Sequence, residues 1–93
     1  MECVLMIQEA EAYRAWRDVY DQAIDMRRKA GEKSYRLLRY ESDENHVVHF
    51  SEWTSLDDAR AFLESPELEA MREKAGAPRP EFVYLQQLED GVL

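Results

Sequence analysis

The sequence predicts a single α+β domain over residues 1–93, with its elements in the order β-α-β-β-α-β. Four short runs are rich in β-branched and aromatic residues, and the two longer segments between them have apolar residues at helical spacing. An internal repeat agrees with two β-α-β halves: Met26 to Gly31 reads Met-Arg-Arg-Lys-Ala-Gly, and Met71 to Gly76 reads Met-Arg-Glu-Lys-Ala-Gly. This order is typical of the ferredoxin-like fold, a four-stranded antiparallel sheet with its helices on one face.

The four predicted strands are short apolar runs bounded by polar or turn-forming residues. The second and third strands are separated only by Ser42-Asp-Glu-Asn45, a polar turn, so they are expected to form a hairpin. The strands cover residues 2–8, 33–41, 46–53 and 81–89.

The two helical segments have recognisable starts and ends. The first covers residues 12–30 and stops at Gly31, because glycine adopts the left-handed conformation of a C-terminal cap. The second follows Ser55, whose hydroxyl can cap it. It breaks and restarts at Ser65-Pro66, since proline lacks the N–H of a helix interior but suits a first helical position. It ends at Gly76.

The strands predict a homodimer, because neither face of the sheet alternates cleanly between apolar and polar residues. Val47 and Val48 are adjacent, and so are Phe82 and Val83. The helices can cover one face, and a second copy of the same sheet is the simplest cover for the other, with the two sheets packed face to face. The alternative is a monomer with a large apolar patch, which soluble proteins rarely tolerate.

The composition excludes several classes of partner. With 45% apolar residues the chain should fold, and its net charge of -8 argues against nucleic acid or an anionic membrane surface. The cationic run Arg27–Lys29 is explained by its place at a helix end, where cations complement the helix dipole. No apolar run reaches the roughly 20 residues that cross a bilayer. A single cysteine, Cys3, and the lack of a basic signal segment predict a reducing, cytoplasmic setting.

The polar residues on the strands predict a ligand cavity. Apolar Val48 and Phe50 are expected to face the helices, and so are Cys3, Leu5 and Ile7 on the first strand. Polar groups among apolar ones then remain on the second face, which is typical of a binding site. That second face is predicted to hold Val4, Met6, Gln8, His49, Ser51, Trp53, Tyr84 and Gln86.

His49 is the acid–base candidate of this face, since histidine titrates near neutrality. A cavity-wall or interface histidine is the simpler alternative, as plain packing is for Trp53. His46 and His49 point to opposite faces, so no metal site is predicted. The sequence has neither a glycine-rich phosphate loop nor a G-x-S-x-G turn, and no bound cofactor is expected.

Three segments carry a resemblance to a known family: the strand His46-Val-Val-His-Phe-Ser-Glu-Trp53, the helical segment Asp57-Asp-Ala-Arg-Ala-Phe-Leu-Glu-Ser-Pro-Glu-Leu68, and Lys74-Ala-Gly76. With the element order, they resemble the antibiotic biosynthesis monooxygenase family over nearly the whole chain. The resemblance implies dimeric α/β barrels with a cavity in each subunit. Some members of that family oxidise aromatic polyketide intermediates with dioxygen and neither metal nor flavin, and others degrade heme.

The heme-degrading members offer a check by residue. They use an asparagine on the first strand, a tryptophan that ends the third and a histidine on the second helical segment. Trp53 matches the tryptophan and Gln8 stands near the asparagine position, but Arg72 takes the place of the histidine. Without that axial ligand, heme degradation is disfavoured.

The resemblance therefore implies a cofactor-independent monooxygenase for a small aromatic or polyketide-like substrate. In this hypothesis His49 or Tyr84 assists deprotonation and Trp53 stacks on the substrate ring. Gln8, Ser51 and Arg72 complete the predicted substrate contacts. Two alternatives use the same cavity: a non-catalytic or stress-related dimer that binds a small apolar molecule, and a cyclase or isomerase.

Overall fold

A computed structural model describes residues 2–9, 13–77 and 79–93 and confirms the α+β ferredoxin-like fold. The sheet is antiparallel, with its strands in the order β2-β3-β1-β4. None of the described helices is long and apolar enough to span a bilayer. The elements are β1 (Glu2–Glu9), α1 (Tyr13–Gln22), α2 (Ile24–Ala30), β2 (Glu32–Tyr40), β3 (Asp43–Trp53), α3 (Leu56–Leu63), α4 (Pro66–Ala75) and β4 (Glu81–Gln86).

The first helical segment is divided, where the sequence predicted one helix. Its predicted start at Ala12 lies outside the described residues. Ala23 separates α1 from α2, because its ψ of 0° departs from the helical value. Hydrogen bonds from Ala23 N to Val19 O and from Arg27 N to Ala23 O bridge the break. The two helices therefore form one arm, called the first arm, and α3 with α4 form the second arm.

The limits of β1 and β2 differ from the prediction by one residue, and two other strand limits differ by three. β3 begins at Asp43 and not at His46, because the tight turn lets Tyr40 pair directly with Asp43. β4 ends at Gln86 and not at residue 89, because Gln86 pairs with Glu2, the first residue of β1. Strand length here follows from the available pairing partner.

The predicted helix caps are confirmed. The hydroxyls of Ser55 and Ser65 accept hydrogen bonds from backbone N–H groups three residues later, at 3.0 and 3.3 Å. Pro66 is the first residue of α4. Both arms end at a glycine in the left-handed region, Gly31 with φ 117° and Gly76 with φ 72°. These caps fix where each arm returns to the sheet.

The helices cover the face of the sheet that was predicted, from the sequence, to point away from them. Trp53 packs in the core against Ala59 and Leu63 of the second arm. Met6 lies opposite His49 in the ladder, so the two side chains share this face. The assignment of Val48 and Phe50 to the helices was wrong, as was that of Cys3, Leu5 and Ile7. Both faces of these strands are apolar, and alternation alone could not decide between them.

The opposite face of the sheet is rich in apolar residues that are mostly half-buried or exposed, and it also carries Arg36 and Glu52. Leu38 of the edge strand β2 is 53% exposed and pairs with Val48. The half-buried residues of this face include Leu5, Ile7, Phe50 and Val83. Such a surface is typical of an interface between subunits.

Candidate functional site

A cavity of about 60 Å³ lies between the helix-covered face of the sheet and the two arms. The sheet contributes Met6, Gln8 and His49 to its lining, while the first arm contributes Arg27 and the second arm Arg72. Gln8, His49 and Arg72 were predicted as site residues, and the fold brings these three to one cavity.

The charged centre of this cavity is an ion pair between Arg27 and Glu32, with side chains only 7% and 5% exposed. Arg27 Nε donates to Glu32 Oε1 at 2.9 Å, and Nη2 donates to Oε2 at 2.7 Å. The carboxylate therefore binds one edge of the guanidinium with two parallel hydrogen bonds. Arg27 was predicted only to complement the helix dipole, and this was incomplete because its side chain turns into the core.

Two tyrosines enclose the Arg27 guanidinium. Its Cζ lies 4.1 Å from the ring centroid of Tyr20 and 4.7 Å from that of Tyr35, in cation–π contact with both. Nη2 also donates to the Tyr20 hydroxyl at 3.0 Å. Burial raises the pKa of Tyr20 to about 12, although the positive charge of Arg27 opposes this. Tyr20 therefore stays protonated at neutral pH and fixes the position of Arg27.

Glu32 stays ionised in this setting. Burial alone would raise its pKa, but the hydrogen bonds and charges of Arg27 and His49 outweigh burial and lower it. His49 Nε2 lies 3.3 Å from Glu32 Oε2 and 3.4 Å from Arg27 Nη2. His49 therefore belongs to the same buried polar cluster as this ion pair.

Arg72 is the second guanidinium in the cavity wall. It is 8% exposed, donates from Nη2 to the Leu63 carbonyl at 3.2 Å and lies over the Phe82 ring. Burial, and secondarily the charge of Arg79, lowers the pKa of Arg72. In the part of the chain that the structure describes, Arg72 has no carboxylate partner within ion-pair distance.

The comparison with family models decides the relationship. The model of the antibiotic biosynthesis monooxygenase family matches residues 5–74. The chain belongs to this family. The match begins within β1 and ends one residue before the end of α4, and it includes every cavity-lining residue named above. No curated protein sequence is significantly similar to this family member.

Solved structures agree with the fold. SnoaB, a cofactor-independent oxygenase from Streptomyces nogalater, has a TM-score of 0.73 at 18% identity, over 96% of this chain and 93% of SnoaB. Rv0793 from Mycobacterium tuberculosis has a TM-score of 0.68 at 19% identity, over 99% and 100% of the two chains. A conserved protein from Methanosarcina mazei Go1 has a TM-score of 0.73 at 11% identity, over 94% and 92%. At these identities the similarity shows the shared fold.

The other three predicted site residues of this family member are not among the described residues that line the cavity. Trp53 is 2% exposed, and its indole N–H donates to the Ser51 hydroxyl at 2.7 Å. The Tyr84 hydroxyl donates to Glu64 at 3.1 Å. Burial and this hydrogen bond raise the pKa of Tyr84 to about 12. Substrate contact by these residues stays a prediction.

Sequence reasoning missed Arg27, Glu32 and Tyr20. A signal was present, because Arg27 follows Ala23 by four positions and Tyr20 by seven, on the same side of the first arm. A charged residue on an apolar helical stripe indicates a buried partner. That partner, Glu32, comes directly after the capping Gly31.

Histidine, cysteine, aspartate and glutamate do not form a cluster of three or more that could hold a metal ion within the described ranges. Gln8 is committed to the wall, since its Oε1 accepts a hydrogen bond from the Trp16 indole at 2.7 Å. The cavity thus combines two guanidiniums, one imidazole and one ion-paired carboxylate in an otherwise largely apolar wall.

Proposed function

We propose that this chain is a cofactor-independent monooxygenase that acts on a small aromatic or polyketide-like substrate. The observation that carries the proposal is the cavity itself, a largely apolar space with one acid–base group, His49, in its wall. Family membership supports the reaction class, and SnoaB, which has a similar fold, is a cofactor-independent oxygenase.

His49 removes a proton from the substrate in this proposal. The resulting electron-rich anion reduces dioxygen directly, so a ring methylene and O₂ become a carbonyl and water, and the substrate supplies all of the electrons. Glu32 holds the imidazole in place at 3.3 Å. Tyr84 is a weaker candidate for the base, because its pKa is about 12 and it is not among the described lining residues.

The other substrate contacts divide into two groups. Gln8 and Arg72 lie in the cavity wall and contact the substrate directly. Ser51 and Trp53 lie behind that wall, and Trp53 stacks on a ring only after the wall moves. The cavity of about 60 Å³ must expand, since binding sites for small molecules usually measure roughly 300–1,000 Å³. We expect the two arms to separate when substrate enters.

We also propose that the protein is a homodimer in which a second copy covers the apolar face of the sheet. Leu38 and Leu85 are exposed on that face in a single chain. Replacing Phe50 by glutamate, which puts a charge among these side chains, is expected to yield monomers in analytical ultracentrifugation. A wild-type protein that sediments as a monomer at micromolar concentration would contradict this arrangement.

A cytoplasmic location fits the same proposal. Cys3 is a free, buried thiol, and free thiols persist in reducing compartments. Fractionation of the source cells tests this, and recovery of the protein outside the cytoplasm would refute it.

Oxygen uptake tests the activity. The protein is incubated with a panel of electron-rich phenols and hydroxyanthrones, and ¹⁸O₂ incorporation is followed by mass spectrometry. We expect His49→Gln to lower the rate at least about tenfold, as loss of a general base does. His46→Gln is the matched control, because His46 lies on the opposite face, stacked on Tyr40 at 3.7 Å.

The outcomes separate the three functions that share this cavity. Incorporation of ¹⁸O by wild type, lost in His49→Gln, supports the monooxygenase. A product that forms equally without oxygen indicates a cyclase or isomerase. Binding without any product indicates a non-catalytic binding protein, and equal rates in both histidine variants would remove His49 from the mechanism.

A further inference from the structure

The cavity carries a positive charge inside a strongly acidic protein. The chain has a net charge of -8, yet the ionised groups among the described lining residues are Arg27, Arg72 and Glu32. Glu32 neutralises one of the two arginines, and the positive charge of the other is left. A buried charge without a partner is costly, so this excess calls for an anion.

Arg27 has donor capacity left over. Its Nε and Nη2 are both used on Glu32, while Nη1 is buried and has no hydrogen-bond partner among the described residues. Arg27 as a whole is 6% exposed. An unpaired buried donor is rare in folded proteins, and such a group at a cavity is commonly satisfied by a ligand or an ordered water.

Arg72 has the same position in the second half of the internal repeat as Arg27 has in the first. The two halves differ in the residue after the capping glycine, which is Glu32 in the first and Ala77 in the second. All four of these residues line the cavity. The repeat therefore brings two guanidiniums to one space but supplies a carboxylate for only one of them.

We propose that the cavity binds the carboxylate group of a small aromatic acid, which contacts Arg27 Nη1 and the guanidinium of Arg72. The carboxylate takes the place that Glu32 occupies in the first half of the repeat. A guanidinium fork matches the planar geometry of a carboxylate. Glu32 and His49 act as positioning residues, because they hold Arg27 by its other nitrogens.

The size of the cavity fits this assignment. About 60 Å³ accommodates a carboxylate group, whereas a cavity that holds benzene is larger, about 150 Å³. The acid group thus binds in the existing space and the ring occupies the volume that opens between the arms. The aromatic part of this inference rests on the proposed function, whereas the carboxylate part rests on the charges of the lining residues and on the unsatisfied Nη1 donor of Arg27.

Calorimetric titration tests the inference with two probes of nearly equal shape, benzoate and benzamide. We expect wild type to bind benzoate at least about tenfold more tightly, because only benzoate supplies the missing charge. Arg72→Gln is expected to abolish this preference. The matched control is Arg28→Gln, since Arg28 is exposed and pairs with Asp25 on the surface. Equal affinity for both probes would overturn the inference and leave Nη1 with water only.

Arg27 needs a different variant, because Arg27→Gln would leave Glu32 buried without its partner. The double variant Arg27→Gln/Glu32→Gln removes both charges together, and circular dichroism checks its fold. We expect it to bind benzoate several-fold more weakly than wild type while its affinity for benzamide is unchanged. Equal losses of affinity for benzoate and benzamide would show that Arg27 supports the cavity wall and does not bind the carboxylate.

The titrations are made without oxygen, so they do not depend on turnover. A preference for benzoate in a protein that never consumes oxygen would support the carboxylate site and refute the monooxygenase. Oxygen uptake with neutral substrates, together with equal binding of benzoate and benzamide, would support the monooxygenase and refute the carboxylate site.

Discussion

The two arms end in nearly the same six residues, yet the surroundings of these residues differ. In the first arm Arg27 pairs with Glu32 at 2.7 Å. In the second, Arg72 donates to a backbone carbonyl at 3.2 Å. The capping glycines differ as well, since a β-carbon at Gly31 would clash with the Thr54 hydroxyl and one at Gly76 would meet nothing within 4 Å.

This difference follows from what comes after each glycine. Gly31 leads directly into β2, and its carbonyl accepts a hydrogen bond from Thr54 at 2.9 Å. Glu32 is the first residue of that strand, and the sheet therefore holds its carboxylate under the first arm. Gly76 leads into a loop that begins with Ala77. The same helix ending thus carries an ion-paired guanidinium in the first arm and, among the described residues, a guanidinium without a carboxylate partner in the second.

Breaking the ion pair between Arg27 and Glu32 is expected to give the largest loss of stability. Glu32→Gln leaves the Arg27 charge buried without a counter-ion, so we expect a loss of about 3 kcal/mol in the free energy of unfolding. Arg72→Gln removes a charge that has no carboxylate partner in the described structure and one hydrogen bond, and should cost about 1 kcal/mol. Urea unfolding at one fixed protein concentration measures both.

The relative loss of stability in these two variants shows whether the two arginines have equivalent partners. If Arg72→Gln destabilises the protein as much as Glu32→Gln, the two arginines have equivalent partners. Arg28→Gln, on the exposed side of the first arm, is the control and should change the free energy of unfolding by less than about 0.5 kcal/mol.

Replacing the capping glycines by alanine is expected to give the next largest loss of stability. Gly31→Ala combines an unfavourable φ of 117° with a clash against Thr54, whose hydroxyl is held by Asp58 at 2.7 Å, and we expect about 2–3 kcal/mol of destabilisation. Gly76→Ala has only the left-handed conformation to overcome and should cost about 1 kcal/mol. Equal losses in thermal or urea unfolding would show that Thr54 moves aside without cost.

The element order and the caps were predictable because they depend on local chemistry. Ser55, Ser65, Pro66 and the two glycines act on the few residues around them, and the sequence displays them directly. The hairpin between β2 and β3 was predictable for the same reason. The strand limits were less accurate, since the end of a strand depends on its pairing partner, as Gln86 shows with Glu2.

The site was only partly predictable. Alternation fixes which residues share a face, so His49, Met6 and Gln8 were correctly grouped. It cannot tell which face the helices cover when Val47 and Val48 are equally apolar, and the assignment was therefore inverted. The ion pair of Arg27 and Glu32 was missed because a cation near a helix end is usually solvated, and only the path of the chain after Gly31 buries it.

Adding a carboxylate to the second arm sharpens the comparison further. Ala77 follows Gly76 as Glu32 follows Gly31, and it lines the cavity near Arg72. We expect Ala77→Glu to be more stable than Ala77→Gln by about 1–2 kcal/mol, because the two side chains have similar volume and only glutamate supplies a charge. Urea unfolding of the two variants gives the difference directly. If glutamine is equal or better, Arg72 does not need an anion.

The smallest expected effect is a pH dependence that belongs mainly to the first arm. The pKa of Glu32 is lower in the folded protein than in the unfolded chain, where a glutamate titrates near pH ~4.3. The contribution of Glu32 to stability is therefore present above the unfolded pKa and is lost as pH falls through the folded pKa.

The difference in the free energy of unfolding between wild type and Glu32→Gln, here called the stability gap, should narrow when urea unfolding is repeated from about pH 7 to about pH 3. The gap between wild type and Arg72→Gln should narrow less over the same range, because Glu69 acts on Arg72 only through its charge and no carboxylate of the described residues lies within ion-pair distance of Arg72. If the difference in the free energy of unfolding between wild type and Glu32→Gln does not change with pH, the ion pair contributes through packing and not through charge.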